Sequence, residues 1–350
     1  MIVFGGYGVF GSLVCRELAR LGTAVTVAGR RHHKAAAFAR DLGPQHRGLA
    51  VDATDAAACR AALAGHRVAV HCAGPFSPED HTLLDACHDV GCHYVDIADD
   101  RGYSAYVRAQ DERFRRRRLT AAFGCSSLPS LSGALAIAAR AARVEPPQRA
   151  RITLFIGDDN PKSAAAVLSV VRVLGREIAA PQGPLRGFRE HERVELPPPF
   201  GPREAYAFDS PDYDLLPETV GVGAVRVLVG FENGLAGPAF AALGRLGPRW
   251  GAGAARALAA AGRLHLGGSS GGVVMSELVW SDGHVERAFV QAPYDGQRLA
   301  ALPAALAAHS LAAGGELRRG AVTAYELLGA DALVACVRAA ISAGRGKGTA

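Results

Sequence analysis

The sequence predicts an α/β protein with an N-terminal Rossmann-type, doubly wound parallel sheet and a second α+β domain of mixed or antiparallel sheet. A glycine-rich turn follows a short apolar run at the N-terminus, and strand and helix signals then alternate over the first third of the chain. Such alternation is typical of a parallel sheet with helices on both faces. Longer elements after about residue 130 predict the second domain.

The strand signals are short apolar runs bounded by turn residues. In the N-terminal part they predict strands at Ile2–Phe4, Ala24–Ala28, Gly48–Val51, Val68–His71, Tyr94–Ile97 and Thr120–Phe123. Later runs predict strands at Arg151–Ile156, Val225–Phe231, Val273–Trp280 and Val285–Gln291, helices at Ser132–Ala142 and Ala164–Leu174, and a loop at Pro181–Pro202. The letters SDGH between the last two strands indicate a hairpin turn.

Three segments follow from this order of elements. Residues 1–131 are predicted to form an NAD(P)-binding domain, and residues 132–315 a domain for substrate binding and dimerisation. Residues 316–350 are predicted to form a C-terminal helix that returns to the first domain, followed by a loose tail. The hairpin strands of the second domain are compatible with a homodimer whose sheet continues across a two-fold axis.

Composition favours a cytoplasmic protein without a membrane span. Nearly half of the 350 residues are hydrophobic, but no apolar run is long and uninterrupted enough to cross a bilayer. Ile2–Phe4 already has the pattern of a first strand, so no signal peptide is expected. The seven cysteines have no regular spacing, which favours reduced thiols and no metal site. The arginine run at 113–118 favours a solvated helix end over a nucleic-acid surface.

The first turn has the G-x-G-x-x-G pattern of a dinucleotide-binding unit. Glycines of this pattern allow a tight turn, close approach to a pyrophosphate and close packing of helix on strand. The N-terminus of the following helix offers free N–H groups to the phosphates. The cofactor-binding residues predicted here are Gly6, Tyr7, Gly8, Val9, Phe10 and Gly11.

The end of the second strand predicts the choice of cofactor. A domain that prefers NAD usually places an acidic residue there for the ribose hydroxyls, whereas this chain has Gly29, Arg30 and Arg31. Arginine matches phosphate geometry, so the pattern favours NADP(H) over NAD(H). Asp52, which ends the third strand, is a further cofactor candidate, and its alternative role is to cap a turn.

Later strands add polar groups at the same edge, because ligands of open α/β sheets bind beyond the carboxyl ends of the strands. Ala73, Gly74 and Pro75 form a turn after the fourth strand, and Ser126 follows the sixth. These residues complete the predicted cofactor set. The serines around Pro129 have helix capping as their alternative role.

Five stretches in this order and spacing resemble the saccharopine dehydrogenase-like oxidoreductases, and in particular their NADP-binding domain. They are GGYGVFG, AGRR, CAGPF, HYVDIADD and CSSLPSLSG, and the resemblance covers about residues 1–135 most specifically. It implies a Rossmann domain with a second α/β domain and NAD(P)-dependent redox chemistry on a small-molecule substrate. It does not specify which substrate.

Candidates for moving a proton during hydride transfer are Asp99, Asp100, His93 and Tyr103 near the fifth strand. Asp158, Asp159, Asn160 and Lys162 follow the first strand of the second domain, where Lys162 suits a substrate carboxylate. The catalytic residues predicted from these candidates are Asp99, Asp100 and Lys162.

Three functions remain open from the sequence. The first is an oxidoreductase acting on a C=N or C–N bond of an amino-acid-type or other small substrate. The second is an enoyl (C=C) reductase of the trans-acting type, and the third is a non-catalytic NADP(H)-binding redox sensor. The Tyr-x-x-x-Lys mechanism of short-chain dehydrogenases is excluded, because no lysine of the chain has a tyrosine four residues before it.

Overall fold

The computed structural model describes residues 1–141, 143–161, 164–245, 267–315 and 317–344. The chain forms two compact units. The first unit comprises Met1–Ser126 and Ala300–Cys336, and the second comprises Ser127–Leu299 and Val337–Ala350. The boundaries predicted after residues 131 and 315 therefore differ from those of the compact units.

The first unit contains a seven-stranded parallel sheet, which confirms the predicted Rossmann-type fold. Its strands are β1 (Ile2–Phe4), β2 (Thr26–Gly29), β3 (Arg47–Ala50), β4 (Val68–His71), β5 (His93–Asp96), β6 (Thr120–Ala122) and β15 (Gly320–Val322). The spatial order is β15-β6-β5-β4-β1-β2-β3, and every neighbouring pair is parallel. β15 escaped prediction because its three residues, GAV, carry almost no strand signal.

Helices connect the strands of this sheet. They are α1 (Val9–Arg20), α2 (His32–Leu42), α3 (Ala56–Leu63), α4 (Thr82–Val90), α5 (Arg101–Ala109) and α6 (Asp111–Arg116), with α11 (Arg298–Ala313) and α12 (Ala324–Leu328) later in the chain. α1 shows why the sequence folds this way: Val14, Cys15 and Leu18 are spaced along one face, and all three are buried. Burial of this apolar face holds the helix on the sheet.

The second unit contains a six-stranded mixed sheet, as predicted. Its strands are β7 (Arg149–Ile156), β10 (His191–Leu196), β11 (Gly201–Ala207), β12 (Ala224–Gly230), β13 (Gly272–Val279) and β14 (Val285–Ala292). The order is β10-β11-β12-β7-β13-β14; β7 and β12 are parallel and the other pairs antiparallel. β8 (Glu177–Ile178) and β9 (Leu185–Arg186) form a separate pair. The remaining helices are α7 (Ser132–Arg140), α8 (Ala164–Val173), α9 (Asp212–Val220), α10 (Ala236–Arg245) and α13 (Ala330–Ala343).

The loop predicted at Pro181–Pro202 is wrong, because this segment contains β9, β10 and the start of β11. The letters HERVEL of β10 alternate, and Val194 and Leu196 are buried in one cluster with Phe200. The prolines lie just beyond β10, which is an edge strand, where a missing N–H costs least. The burial of the alternating apolar residues therefore stabilises a strand here, although the segment is rich in proline.

A charged row crosses one face of the second sheet. Glu277, whose side chain is only 1% exposed, accepts hydrogen bonds from Arg151 Nε (2.6 Å) and Arg287 Nε (2.5 Å). Arg151 also bonds to Glu192 (3.2 Å). Burial alone raises the pKa of Glu277, but Arg151 and Arg287 outweigh it and hold this pKa below its usual value. The charged form of the buried Glu277 carboxylate is therefore stabilised by Arg151 and Arg287.

Two further findings concern the whole described chain. None of its helices is long and apolar enough to cross a membrane. All seven cysteines lie in described residues, and none of them forms a disulfide bond.

We expect Arg151→Met to lower the free energy of unfolding by about 2–4 kcal/mol, because it leaves the buried Glu277 carboxylate with one partner. The double variant Arg151→Met/Glu277→Gln should lose less free energy of unfolding than Arg151→Met alone, since no buried charge then remains unpaired. Urea titrations of the parent, Arg151→Met, Glu277→Gln and the double variant measure this. A double variant that loses the sum of the two single losses would contradict the coupling.

Candidate cofactor site

The candidate site lies along one edge of the first sheet. Because all seven strands are parallel, the turns that follow them meet at the same edge. The strand order reverses between β1 and β4, and dinucleotides bind outside such a switch point. All the cofactor residues predicted from sequence follow the carboxyl ends of β1 to β6, within the first unit.

The turn after β1 packs directly against the turn after β4. Gly5 has φ +73°, and a Cβ there would lie 2.8 Å from the Cys72 carbonyl carbon and 2.9 Å from the Ala73 nitrogen. A Cβ on Gly11 would overlap the Gly5 carbonyl oxygen, and one on Gly6 would lie 2.8 Å from the Val3 oxygen. These three glycines are required by the packing of the chain itself.

Gly8 differs from the other glycines of the turn. It is exposed, and a Cβ there would meet only the Gly5 carbonyl oxygen within 4 Å. Gly8 is also the N-cap residue of α1, and no side chain caps this helix end. The first N–H groups of α1 and the positive end of its dipole therefore face a surface that the described chain leaves uncovered, which suits a pyrophosphate.

The basic turn after β2 lies beside this surface. Arg30 and Arg31 are exposed, and neither guanidinium has a hydrogen-bond or ion-pair partner among the described residues. Tyr7 from the glycine turn packs on Gly29, and its hydroxyl accepts a hydrogen bond from the Arg31 N–H at 3.0 Å. Two unpaired guanidinium groups at the end of β2 suit the 2′-phosphate of NADP.

Asp52 fixes the turn after β3. Its Oδ1 accepts hydrogen bonds from the amide and the hydroxyl of Thr54, at 3.1 and 2.9 Å. These bonds lower the pKa of Asp52, and the charge of Arg30 contributes to the same effect. Asp52 therefore acts as a turn cap, the alternative that the sequence left open, and it lies near the basic turn.

The turn after β4 contains the predicted residues Ala73, Gly74 and Pro75. Cys72 donates its N–H to the Phe4 carbonyl of β1 at 2.9 Å, so the turn starts directly beside the glycine turn. Pro75 is exposed, while Ala73 and Gly74 are half-buried. Phe76 then turns inward and packs edge-on against His71, with ring centroids 4.9 Å apart.

Three carboxylates follow one another at the end of β5, and the structure separates their roles. Asp100 caps α5 by accepting the Tyr103 N–H at 2.8 Å, and Asp99 is half-buried. Asp96, which sequence reasoning missed, is completely buried, and its Oδ1 accepts the N–H groups of Ala98 (3.0 Å) and Gly124 (2.8 Å). Its Oδ2 has no hydrogen-bond partner in the described chain.

Burial raises the pKa of Asp96 to about 7, although the two amides oppose this shift. A carboxyl group with such a pKa at the ligand-binding edge of a sheet is the kind of residue that often marks a functional site. The sequence signal for it was its place inside the apolar letters HYVDIA, where a lone acid is expected to be buried.

A chain of hydrogen-bonded side chains lies beneath the turn after β4. His71 Nδ1 is 2.8 Å from the Tyr94 hydroxyl, which is 2.6 Å from the Tyr103 hydroxyl. Burial lowers the pKa of His71 to about 4 and raises that of both tyrosines well above the usual value. All three groups are therefore neutral near pH 7.

His93 does not belong to this edge. It begins β5, at the opposite end of the strand from Asp96, and its Nδ1 accepts the Thr120 N–H at 3.0 Å. The expectation that it lies near the ligand was wrong, because His93 lies at the amino end of the strand in both the predicted and the observed bounds, and ligands bind at the carboxyl end. Ser126 is buried, and its N–H donates to the Gly124 carbonyl at 2.8 Å.

The residues predicted after the first strand of the second unit are bound within that unit. Asp158 Oδ2 accepts the Asn233 N–H at 2.9 Å, and the buried Asn160 donates to the carbonyls of Gly157 and Gly271. Lys162 lies outside the described residues. No group of three or more His, Cys, Asp or Glu side chains in the described chain is arranged to hold a metal ion.

The fold and this edge define a Rossmann-type dinucleotide-binding domain joined to a second α/β unit. Residues 1–122 match the family model described as the saccharopine dehydrogenase NADP binding domain. This part of the chain is therefore similar to the NADP-binding domain of the saccharopine dehydrogenases. The uncovered glycine turn and the two unpaired guanidinium groups fit NADP(H), which is the cofactor of this domain family.

Comparison with solved structures extends the likeness to the whole fold. The chain is similar to saccharopine dehydrogenase (L-Glu forming) from Saccharomyces cerevisiae, with a TM-score of 0.67, 12% identity, and coverage of 99% of this chain and 97% of that one. At this identity the likeness establishes the fold. A sequence search of curated proteins finds no match.

Two other solved structures are similar over part of the chain. A short-chain type dehydrogenase/reductase from Mycobacterium ulcerans has 17% identity and a TM-score of 0.31, with coverage of 35% of this chain and 64% of that one. Serine dehydrogenase from Escherichia coli has 18% identity and a TM-score of 0.28, with coverage of 35% of this chain and 79% of that one. TM-scores this low imply nothing further about this protein.

We expect the contribution of Asp96 to stability to depend on pH. Its folded pKa of about 7 lies above the ordinary carboxyl value, so this contribution is fully present at pH 4 and falls as the pH rises towards 7. Asp96→Asn cannot titrate at this position, so it does not undergo this loss. Relative to the parent, the variant should therefore be more stable at pH 8 than it is at pH 5.

Urea titrations of the parent and Asp96→Asn at pH 5 and pH 8 measure this change. Asp100→Asn is the matched control, because Asp100 is half-buried and caps a helix. A difference between parent and Asp96→Asn that is the same at both pH values would contradict a raised pKa in the folded state.

Proposed function

We propose that this protein is an NADP(H)-dependent oxidoreductase that transfers a hydride to or from a C=N or C–N bond of an amino-acid-type or other small substrate. The observation that carries the proposal is the exposed, uncapped turn at Gly8 beside the unpaired guanidinium groups of Arg30 and Arg31. The whole-chain likeness to saccharopine dehydrogenase supports the choice of chemistry over other uses of the same domain.

In this proposal each turn of the edge has a part in binding. Gly6, Gly8 and the N-terminus of α1 receive the pyrophosphate, and the guanidinium groups of Arg30 and Arg31 bind the 2′-phosphate. Ala73, Gly74 and Pro75 lie against the cofactor on the other side of the switch point, with Ser126 beyond them. The bound nicotinamide supplies a hydride donor or acceptor.

The proton that accompanies hydride transfer needs a group of this chain. Asp99 and Asp100 follow β5 at the proposed edge, and we retain them with Lys162 as the proposed catalytic residues. Asp100 already accepts the Tyr103 N–H with its Oδ1, which leaves its other oxygen for a proton. Asp99 is half-buried and so combines solvent access with some desolvation.

The parent protein should bind NADPH more tightly than NADH, and Arg30→Ala should remove much of this preference. Loss of one guanidinium from a phosphate is expected to weaken NADPH binding about tenfold, with little effect on NADH. Titration of cofactor fluorescence measures both dissociation constants. Arg193→Ala, an exposed arginine on β10, is the matched control. Equal affinity of the parent for the two cofactors would overturn the NADP assignment.

Substrate class is tested separately by the loss of NADPH absorbance. Mixtures of 2-oxo acids with primary amines, which form imines in solution, should be reduced, whereas enoyl thioesters should not. Turnover of enoyl thioesters alone would replace the proposal with a C=C reductase. Tight NADPH binding without turnover of either class would favour the redox sensor.

A further inference from the structure

Tyr7 joins the two turns that the proposed function assigns to the cofactor. It lies between Gly6 and Gly8 of the glycine turn, yet its side chain contacts the basic turn after β2. A Cβ on Gly29 would lie 2.5 Å from Tyr7 Cε1 and 2.9 Å from Cζ, so the ring rests directly on the Gly29 backbone. The Tyr7 hydroxyl accepts the Arg31 N–H at 3.0 Å.

This hydrogen bond satisfies the Arg31 N–H, whereas the Arg31 carbonyl accepts the N–H groups of Lys34 and Ala35. Arg31 is the N-cap residue of α2, with φ −111° and ψ 102°, and no side chain caps that helix. An N-cap N–H lies outside the hydrogen-bond ladder of its own helix. Tyr7 therefore provides the partner that fixes the Arg31 amide.

We propose that Tyr7 is a positioning residue that sets the selectivity for NADP over NAD. By packing on Gly29 and accepting the Arg31 N–H, it holds the backbone from which both guanidinium groups project. This inference rests on the proposed binding of the 2′-phosphate by Arg30 and Arg31.

The selectivity for NADPH follows from the conformational entropy that Arg30 and Arg31 lose when they bind a phosphate. Arg30 and Arg31 are long, exposed and unpaired, so a bound phosphate must order them. A fixed backbone at Gly29 and Arg31 reduces the freedom that is lost on binding. NADH has a hydroxyl where NADPH has the 2′-phosphate, so its binding does not require the two arginines to be ordered.

The sharpest test is Tyr7→Phe, which keeps the ring on Gly29 and removes only the hydroxyl. We expect NADPH to bind about three- to tenfold more weakly, the effect of losing one hydrogen bond, while the NADH dissociation constant changes by less than about twofold. Fluorescence titrations with both cofactors measure the ratio. Tyr294→Phe, at a tyrosine that is 72% exposed, is the matched control and should change neither constant.

A second pair of variants tests the contact with Gly29. Gly29→Ala should weaken NADPH binding in the parent, because the new methyl group overlaps the Tyr7 ring. In a Tyr7→Ala background the ring is absent, so Gly29→Ala should have no further effect. Additive effects of the two substitutions would show that the contact does not act on cofactor binding.

The possible results separate the two proposals. Equal affinity of the parent for NADPH and NADH overturns the proposed function, and the role of Tyr7 with it. A parent that prefers NADPH, with a Tyr7→Phe variant of unchanged preference, overturns only the role of Tyr7. Equal weakening of both cofactors, or a lower melting temperature of the cofactor-free variant with an unchanged ratio, shows a merely structural residue and also overturns it.

Discussion

The candidate site depends on the close approach of the Gly5 backbone to the Cys72–Ala73 peptide. β1 and β4 are neighbours at the centre of the first sheet, and the turns that follow them must pass within van der Waals contact. A Cβ at Gly5 would lie 2.8 Å from the Cys72 carbonyl, and the positive φ of Gly5 adds a second reason for glycine. This contact places the N-terminus of α1 at the switch point of the sheet.

The glycines of the turn differ in how strongly the chain itself constrains them. Gly5, Gly6 and Gly11 each lie where a Cβ would come within 2.8 Å of backbone atoms of the turn or its neighbours. Gly8 has an ordinary φ of −75°, and a Cβ there would meet a single atom, the Gly5 carbonyl oxygen at 3.1 Å. The chain therefore constrains Gly8 least, and its exposed place at the uncapped N-terminus of α1 suits close approach by a ligand.

The sequence predicted the first sheet well because its signals are local. Each strand is a short apolar run bounded by turn residues, so six of the seven strands could be placed. The roles of Asp96, Asp99 and Asp100 could not be assigned in this way. All three follow one another within five letters, and Asp96 accepts the Gly124 N–H from the turn after β6, a contact distant in sequence.

Contacts between residues distant in sequence also explain the errors elsewhere in the prediction. β10 was missed because its prolines gave a strong local loop signal, while its burial depends on the later residue Phe200 and on pairing with β11. β15 joins the first sheet through β6, whose paired residues lie 200 positions earlier in the chain. Long-range pairing of short segments leaves little trace in any local window of sequence.

The charges along the edge also indicate how a dinucleotide would lie on it. On the β1–β2 side, the α1 N-terminus and two unpaired guanidinium groups present positive charge. On the β4–β5 side, His71, Tyr94 and Tyr103 form a buried neutral chain, and burial raises the pKa of Asp96 to about 7. Positive charge on the first side stabilises phosphates. Under the proposed function, the adenosine half of the cofactor would lie on β1–β2 and the reacting half on β4–β5, where Asp99 and Asp100 follow.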